Sequence, residues 1–131
     1  MAQLITLPSF SDDRGSLTVL DNIEQSLPFS IKRIFYISAD SDAIRGGHRH
    51  HTTLQAAICV KGRCTIYNDD NKIAKEYVLD NPQKCLILGT ADWHVMHSFT
   101  EDAILLVLAS TSFDPADYIY EPYNVPAHAA V

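Results

Sequence analysis

The sequence lacks several features that would place it in common functional classes. No apolar run reaches the roughly 18 residues that a transmembrane helix requires. Residues 1–6 have neither a basic start nor a long apolar stretch, so we expect no signal peptide and a cytoplasmic location. The net charge of -6 argues against a protein that binds nucleic acid or an anionic membrane surface. We therefore expect no nucleic-acid partner and no membrane partner.

Cysteine is scarce as well, with only three residues, Cys59, Cys64 and Cys85. The spacing of Cys59 and Cys64 is too wide for a CxxC site, and no fourth cysteine completes a zinc set. The surrounding residues are apolar and typical of strands. We expect reduced thiols in the protein core, which suits the cytosol.

Helical periodicity is hard to find, and the chain consists mainly of short runs rich in Ile, Val, Leu, Tyr and Phe. Turn residues close each run, and Gly46-Gly47 is expected to end a loop. We also expect one short helical turn at 115–118 and a solvated His128. The predicted strands cover residues 3–7, 16–20, 31–38, 54–60, 63–68, 72–79, 85–88, 95–99 and 103–110.

With 131 residues, the chain has room for one domain, which we expect to span residues 1–131. About eight to ten short strands at this spacing predict an all-β sandwich or small barrel. A small barrel has an interior wide enough for side chains and one small ligand. Polar residues that face this interior are therefore the candidates for function.

Histidine is the most informative residue type. His48 and His50 point to the same face of a strand, because side chains alternate with a period of two. Together with Gln55 and Gly62 they give the pattern Gly-His-x-His-x4-Gln-x6-Gly, and His94 follows in a later strand-like run. This pattern resembles the two motifs of the cupin superfamily.

In that superfamily, three histidines and a carboxylate bind a divalent metal, whereas this chain has Gln55 in place of the carboxylate. A neutral amide oxygen is a weaker ligand than a carboxylate, so the expected metal affinity is lower. Another interpretation stays open, in which the histidines are ordinary residues with satisfied hydrogen bonds. It has most weight for His51 and His97, each taken singly.

A closer resemblance rests on several longer motifs, which extend over about residues 4–123. They are Asp13-Arg14-Gly15-Ser16-Leu17, the segment 28–37, Arg45-Gly46-x-His48-x-His50, Trp93-His94-x-Met96-His97-x-Phe99, the segment 107–110 and Asp117-Tyr118-Ile119. Together they resemble the sugar nucleotide 3,4-ketoisomerases, small cupins of the WxcM-like group. The resemblance implies an all-β cupin jelly roll, without metal or other cofactor, that moves the carbonyl of dTDP-4-keto-6-deoxyglucose from C4 to C3.

Such a reaction needs a base with a pKa near neutrality and a polar wall around an enediol intermediate. The resemblance implies that His48 is the base, and His50 lies on the same face, where it steers His48 or shares a proton relay. The family commonly has two successive tyrosines where this chain has Phe35-Tyr36. Either Tyr36 donates the proton, therefore, or the proton partner lies elsewhere.

The substrate's pyrophosphate calls for cationic side chains. The candidates within matching motifs are Arg14, Arg33 and Arg45, and the further predicted substrate-binding residues are Gln55, His94 and His97. Arg14 and His94 resemble the branch of the family with a galacto-configured product, dTDP-3-keto-6-deoxygalactose. An aminotransferase would then make a 3-amino-3,6-dideoxy sugar for a surface polysaccharide such as O-antigen.

Three alternatives remain at this point: the gluco-configured product, a metal-dependent cupin enzyme that uses His48, His50 and His94, and a non-catalytic sugar-binding cupin. We also expect a homodimer, because the exposed sheet edges of a small barrel need covering. The candidate interface elements are the strand 4–7 and the tail around 118–123.

Overall fold

The computed structural model describes residues 2–123, which form an almost entirely β structure. It contains one helical turn, α1 (Ile23–Ser26), and one 3₁₀ helix (Pro115–Asp117). The strands are β1 (Gln3–Thr6), β2 (Ser9–Asp12), β3 (Gly15–Thr18), β4 (Arg33–Ile37), β5 (Arg45–His50), β6 (Gln55–Lys61), β7 (Cys64–Asp69), β8 (Ala74–Leu79), β9 (Lys84–Leu88), β10 (Trp93–His97), β11 (Ile104–Ala109) and β12 (Tyr118–Ile119).

Ten of these strands form two five-stranded antiparallel sheets. The first has the order β1-β9-β6-β11-β4 and the second has the order β12-β5-β10-β7-β8, while β2 and β3 form a separate hairpin. Each of the nine predicted runs overlaps a strand. The twelve described strands exceed these runs by β2, β5 and β12, none of which has an apolar alternation of its own.

The main core lies between the two sheets and follows the period of two along each strand. On β6, Ala57 and Cys59 belong to this core, whereas Ala56 and Ile58 face the opposite way. Those outward residues belong to a second cluster, in which the N-terminal segment contributes Leu7 and Leu27. Residues 55–59 of β6 are therefore buried on both faces of the first sheet, which explains the nearly continuous apolar sequence of this strand.

Polar residues in the main core share one end of it because of the strand register. In the first sheet, Gln55 pairs with Ala109, which in turn pairs with Arg33. In the second sheet, His94 pairs with both His48 and Asn68. The next residues inward along the same strands are apolar, so polarity is confined to one end of the interior.

Gly46 allows β5 to approach β10 closely enough to bring His48 beside His94. Its φ is +86°, and a Cβ at this position would lie 2.9 Å from the carbonyl oxygen of His94. The register of β5 and β10 shifts at the same point. The glycine pair, which we expected to end a loop, instead lies within β5 because this irregularity needs residues without side chains.

Two smaller expectations are confirmed. The 3₁₀ helix falls within the helical turn predicted at 115–118, and the three cysteines are buried free thiols. His128 lies outside the described residues. Among residues 2–123, no helix is long or apolar enough to cross a membrane.

Candidate active site

Three histidines meet at the polar end of the core, as their spacing predicts. The ring centroid of His48 lies 5.0 Å from that of His50 and 4.9 Å from that of His94. One nitrogen from each ring can be chosen so that all three lie within 4.8 Å of one another. Because β5 supplies two of these residues and β10 the third, the pairing of the two strands builds the cluster.

Hydrogen bonds on the far side of two rings fix their orientation. The Nδ1 atom of His50 lies 2.9 Å from the carboxylate of Asp117, and that of His94 lies 3.0 Å from the carbonyl oxygen of Asp92. The Nε2 atoms of both rings are buried and have no hydrogen-bond partner among the described residues. A buried polar atom without a partner indicates a ligand position.

All three imidazoles favour the neutral form. Burial, with the neighbouring His94, lowers the pKa of His48 to about 4. Burial also lowers the pKa of His94 to about 4, against the opposing effect of the Asp92 carbonyl. For His50, burial outweighs the hydrogen bond that it donates to Asp117, so its pKa is lowered too. At neutral pH the cluster therefore offers basic nitrogens rather than cations.

Asp117 is a residue of this site that the sequence analysis did not single out as functional. It ends the 3₁₀ helix and accepts hydrogen bonds from the backbone N–H of Thr52 (2.7 Å) and from the Thr52 hydroxyl (2.8 Å). The Thr53 hydroxyl donates to its other oxygen. Burial would raise the pKa of Asp117, but these hydrogen bonds hold it below its usual range.

Tyr118 is the second residue that sequence reasoning placed elsewhere, in a dimer interface. It lies in β12, which pairs with β5, and its ring centroid is 4.7 Å from that of His48 and 4.8 Å from that of His50. Both residues belong to the motif Asp117-Tyr118-Ile119, which contributes to the family resemblance. The motif alone does not place them at the histidines, because the pairing of β12 with β5 joins segments that are distant in the sequence.

Gln55 and Arg33 approach the cluster from the first sheet. Gln55 is buried, and its Oε1 atom has no hydrogen-bond partner among residues 2–123. The guanidinium of Arg33 lies 5.4 Å from the ring centroid of Phe35 and 5.7 Å from that of Phe113. Its positive charge contributes to the lowered pKa of His50. A buried amide and a cation are thus available opposite the histidines.

The other predicted site residues are not brought to the cluster within one chain. Tyr36 is 73% exposed on the outer side of β4. The inward position next to it is occupied by Phe35, which packs against the main core. His97 faces out from β10, where its Nε2 atom lies 3.1 Å from Glu76.

Two of the three predicted arginines are also exposed. Arg14 lies at the turn between β2 and β3, and its side chain, 86% exposed, pairs with Asp12. Arg45 lies at the start of β5 with an exposed side chain. Of the three predicted arginines, Arg33 is the one that lies near the histidines among residues 2–123.

The histidine cluster also fits the metal site of the cupin superfamily in its geometry. His48, His50 and His94 would hold a divalent ion through nitrogens that are neutral and, in two cases, already oriented by a second hydrogen bond. Gln55 supplies a neutral oxygen rather than a carboxylate. A bound ion would act as a Lewis acid toward a carbonyl oxygen.

The fold and this cluster define a cupin with a histidine-lined interior, and comparison with known proteins agrees. Residues 1–127 match the protein family described as "FdtA: WxcM-like, C-terminal". The chain is 37% identical over 129 residues to TDP-4-oxo-6-deoxy-alpha-D-glucose-3,4-oxoisomerase of Aneurinibacillus thermoaerophilus. The alignment covers 98% of this chain and 92% of the relative.

Solved structures of 3,4-ketoisomerases are similar as well. One is from Helicobacter canadensis, with a TM-score of 0.84, 36% identity, and coverage of 92% of this chain and 90% of the other. A variant from Thermoanaerobacterium thermosaccharolyticum, in complex with TDP-4-keto-6-deoxyglucose, has a TM-score of 0.85, 36% identity, and coverage of 92% and 87%. The chain belongs to the FdtA/WxcM-like family, which confirms the resemblance and the cupin fold.

Proposed function

We propose that this protein is a sugar nucleotide 3,4-ketoisomerase that converts dTDP-4-keto-6-deoxy-D-glucose to dTDP-3-keto-6-deoxy-D-galactose. The observation that carries the proposal is the cluster of three neutral histidines, with two buried Nε2 atoms that lack partners among residues 2–123, in a chain whose relatives are named as 3,4-ketoisomerases. Neutral imidazoles suit a reaction that removes and returns protons without an external oxidant or reductant.

The reaction moves protons and electron pairs but needs no other reactant. The base takes the proton from C3, the C3–H electron pair forms a C3=C4 double bond, and the C4 carbonyl electrons move to O4 to give an enediolate. A proton then passes from O3 to O4, a carbonyl forms at C3, and C4 receives a proton while the base releases the one it took. C3 loses a proton and C4 gains one, while O3 loses a proton and O4 gains one, so substrate and product are isomers.

His48 is the proposed base, since it lies at the centre of the cluster between His50, His94 and Tyr118. Its pKa of about 4 lies below the near-neutral value expected of the base, so His48 is unprotonated at neutral pH but is a weaker base than an ordinary imidazole. His50 shares the proton relay, while His94 and Gln55 form part of the polar wall around the enediol. Of the two tyrosines, Tyr118 is the one whose ring contacts the proposed base. The role of Tyr36 stays a prediction, which a substitution tests.

The pyrophosphate is proposed to meet Arg33 together with Arg14, Arg45 or both. Arg33 is the arginine whose position near the histidines supports this role within one chain. Arg14 and Arg45 are exposed, although Arg14 is paired with Asp12, and we propose that one or both contact the flexible diphosphate. His97 faces away from the cluster. A substrate contact of His97, at the periphery of the site, therefore stays a prediction.

A homodimer is part of the proposal. The hairpin β2–β3 forms hydrogen bonds to no other strand among residues 2–123, and it exposes Phe10 and Leu17. On β4, an edge strand, Ile34 and Tyr36 are exposed next to an apolar groove on the outer face of the first sheet. Apolar side chains on an unpaired edge favour a second copy of the chain as the cover. A monomeric mass in light scattering would contradict it.

The expected interface segments, the strand 4–7 and the tail around 118–123, remain predictions. The strand 4–7 overlaps β1, an edge strand that pairs with β9 of the same chain, and Tyr118 pairs with β5 of the same chain. We propose the hairpin and β4 as further contact surfaces.

The proposal has three further parts. The product has the galacto configuration, the enzyme acts in the cytoplasm, and an aminotransferase then uses the product on the way to a surface polysaccharide such as O-antigen.

A metal-dependent cupin enzyme is the second candidate, and the convergence of three imidazoles favours it. The test is proton NMR of dTDP-4-keto-6-deoxyglucose with the protein, in deuterated buffer that contains EDTA. We expect a 3-keto sugar with inverted configuration at C4. A retained configuration would contradict the galacto product alone.

If no conversion occurs in EDTA, the sample is repeated with Mn²⁺, Fe²⁺ or Zn²⁺ in place of the chelator. Conversion only with metal would establish the metal-dependent enzyme. No conversion in either sample, together with binding of TDP, would indicate a non-catalytic sugar nucleotide binder.

A further inference from the structure

Asp117 comes from a distant part of the chain to the back of the histidine cluster. It lies 67 residues after His50, at the end of the 3₁₀ helix, and one of its oxygens is 2.9 Å from the Nδ1 atom of His50. Both residues are buried. The pairing of β12 with β5, in which Tyr118 lies opposite His50, holds the two side chains together.

The other contacts of Asp117 are all with hydrogen-bond donors. Its Oδ1 atom accepts from the N–H and the hydroxyl of Thr52, and its Oδ2 atom accepts from the hydroxyl of Thr53. A carboxylate with this many donors is an ionised acceptor. The contact with His50 therefore runs from an Nδ1–H donor to the carboxylate.

This contact determines which nitrogen of His50 is basic. A neutral imidazole has one N–H and one lone pair, so a proton on Nδ1 leaves the lone pair on Nε2. The Nε2 atom is buried and has no partner among the described residues, and the ring centroid lies 5.0 Å from that of His48 and 6.2 Å from that of His94. His94 has the same arrangement, but there the acceptor is a local backbone carbonyl, that of Asp92.

We infer that Asp117 is a positioning residue that holds His50 as the Nδ1–H tautomer, so that Nε2 accepts the O3 hydroxyl proton of the sugar and passes it to O4. Because the inference rests on the proposed ketoisomerase, its step fits that reaction. The O3–H bond breaks, Nε2 takes up this proton and donates it to the O4 oxyanion of the enediolate, and the C3 carbonyl forms, so that His50 is neutral again at the end of the step. The carboxylate of Asp117 stabilises the transient imidazolium.

A direct test reads the tautomer without substrate. In protein with ¹⁵N-labelled histidine and EDTA, long-range ¹H–¹⁵N correlation spectra distinguish a protonated Nδ1 from a protonated Nε2. A His50→Gln variant assigns the His50 signals by their loss. We expect Nδ1–H for His50 in the unsubstituted protein, and an Nε2–H tautomer there would overturn the inference whatever the protein's activity.

The variant Asp117→Asn tests the consequence for turnover. Its amide can donate to Nδ1 and so favour the Nε2–H tautomer, and we expect kcat to fall roughly 100-fold while the Kd for TDP changes less than about threefold. Asp114→Ala is the matched control, because it removes the side-chain cap of the same 3₁₀ helix, a 3.0 Å hydrogen bond to the N–H of Ala116, and does not touch His50. We expect this control to keep the tautomer and the turnover.

A double-mutant cycle separates positioning from a structural role. If Asp117 acts through His50, Asp117→Asn should lower kcat little further once His50→Gln is present. Additive losses, an equal loss in Asp114→Ala, or an unchanged tautomer in Asp117→Asn would each contradict the inference. If the wild-type protein proves inactive as an isomerase, the tautomer measurement still decides whether Asp117 fixes His50.

Discussion

The two ends of the main core lie between the same two sheets but have opposite chemistry. At one end are His94 and His48 of the second sheet and Gln55 and Arg33 of the first, and several of their polar atoms lack partners among the described residues. At the other end, the two sheets contribute buried apolar side chains, for example Cys59, Cys64, Leu79 and Leu105. The apolar end therefore stabilises the fold, whereas the polar end holds unsatisfied groups for a ligand.

This difference has a physical cost and a purpose. A buried polar atom without a partner destabilises a protein by about 1–3 kcal/mol, so such atoms persist where a ligand can satisfy them. The apolar end offsets the loss through burial, at roughly 25 cal/mol per Å² of apolar surface. Substitutions at the two ends should therefore change stability and turnover in opposite ways.

The largest expected effect is a loss of stability in acid that originates at the polar end. The pKa of both His48 and His94 is about 4 in the folded protein, against about 6.5 for an unperturbed histidine. As the pH falls from about 6.5 to about 4, the unfolded chain binds protons that the folded protein does not, so the free energy of unfolding decreases. Urea unfolding in EDTA at several pH values measures this slope.

The variant His94→Gln is the control for this prediction, because it removes one of the two groups. Its stability should depend less steeply on pH across the same window. An equal slope in the variant and the wild-type protein would show that the acid sensitivity originates elsewhere.

At the apolar end, we expect Leu105→Ala to lower stability without a specific effect on turnover. Leu105 is fully buried in β11, and removal of its side chain leaves a cavity that costs about 3 kcal/mol. Urea unfolding should show this loss, while kcat per folded molecule stays within about twofold of wild type. A selective loss of kcat in the folded variant would break the comparison.

Gln55→Leu should have the opposite signature. The variant replaces a buried amide whose Oε1 atom lacks a partner with an apolar group of similar size, so we expect a gain of about 1 kcal/mol in stability. If Gln55 binds the sugar, KM should rise roughly tenfold. A stability loss with unchanged KM would mean that Gln55 serves the fold instead.

The smallest of these effects distinguishes two tyrosine hydroxyls. Tyr118→Phe removes the hydroxyl of a ring that contacts His48 and His50, whereas Tyr36→Phe removes one from the outer face of β4. We expect kcat to fall about tenfold for Tyr118→Phe and to change little for Tyr36→Phe. Steady-state kinetics with the dTDP-sugar decide, and the reverse ranking would restore Tyr36 as the proton partner.

Much of the fold was predictable because apolar runs and turn residues mark most strands. The His48 and His50 pair was predictable too, since a period of two places both on one face. What the sequence could not reveal is long-range: the pairing of β12 with β5 brings Asp117 and Tyr118 to these histidines from about 70 residues away. The orientation of β4 likewise depends on its register with β11, which turns Arg33 and Phe35 inward and leaves Tyr36 outside.

Solvent deuterium incorporation at C4 tests the central claim, that the polar end carries out proton transfer, most directly. Wild-type protein and His48→Asn are incubated with dTDP-4-keto-6-deoxyglucose in deuterated buffer with EDTA, at concentrations that give equal TDP-sugar occupancy. The account predicts deuterium at C4 of a 3-keto product with the wild-type protein, and a rate at least about 1,000-fold lower with His48→Asn. Incorporation by His48→Asn at the wild-type rate would contradict it.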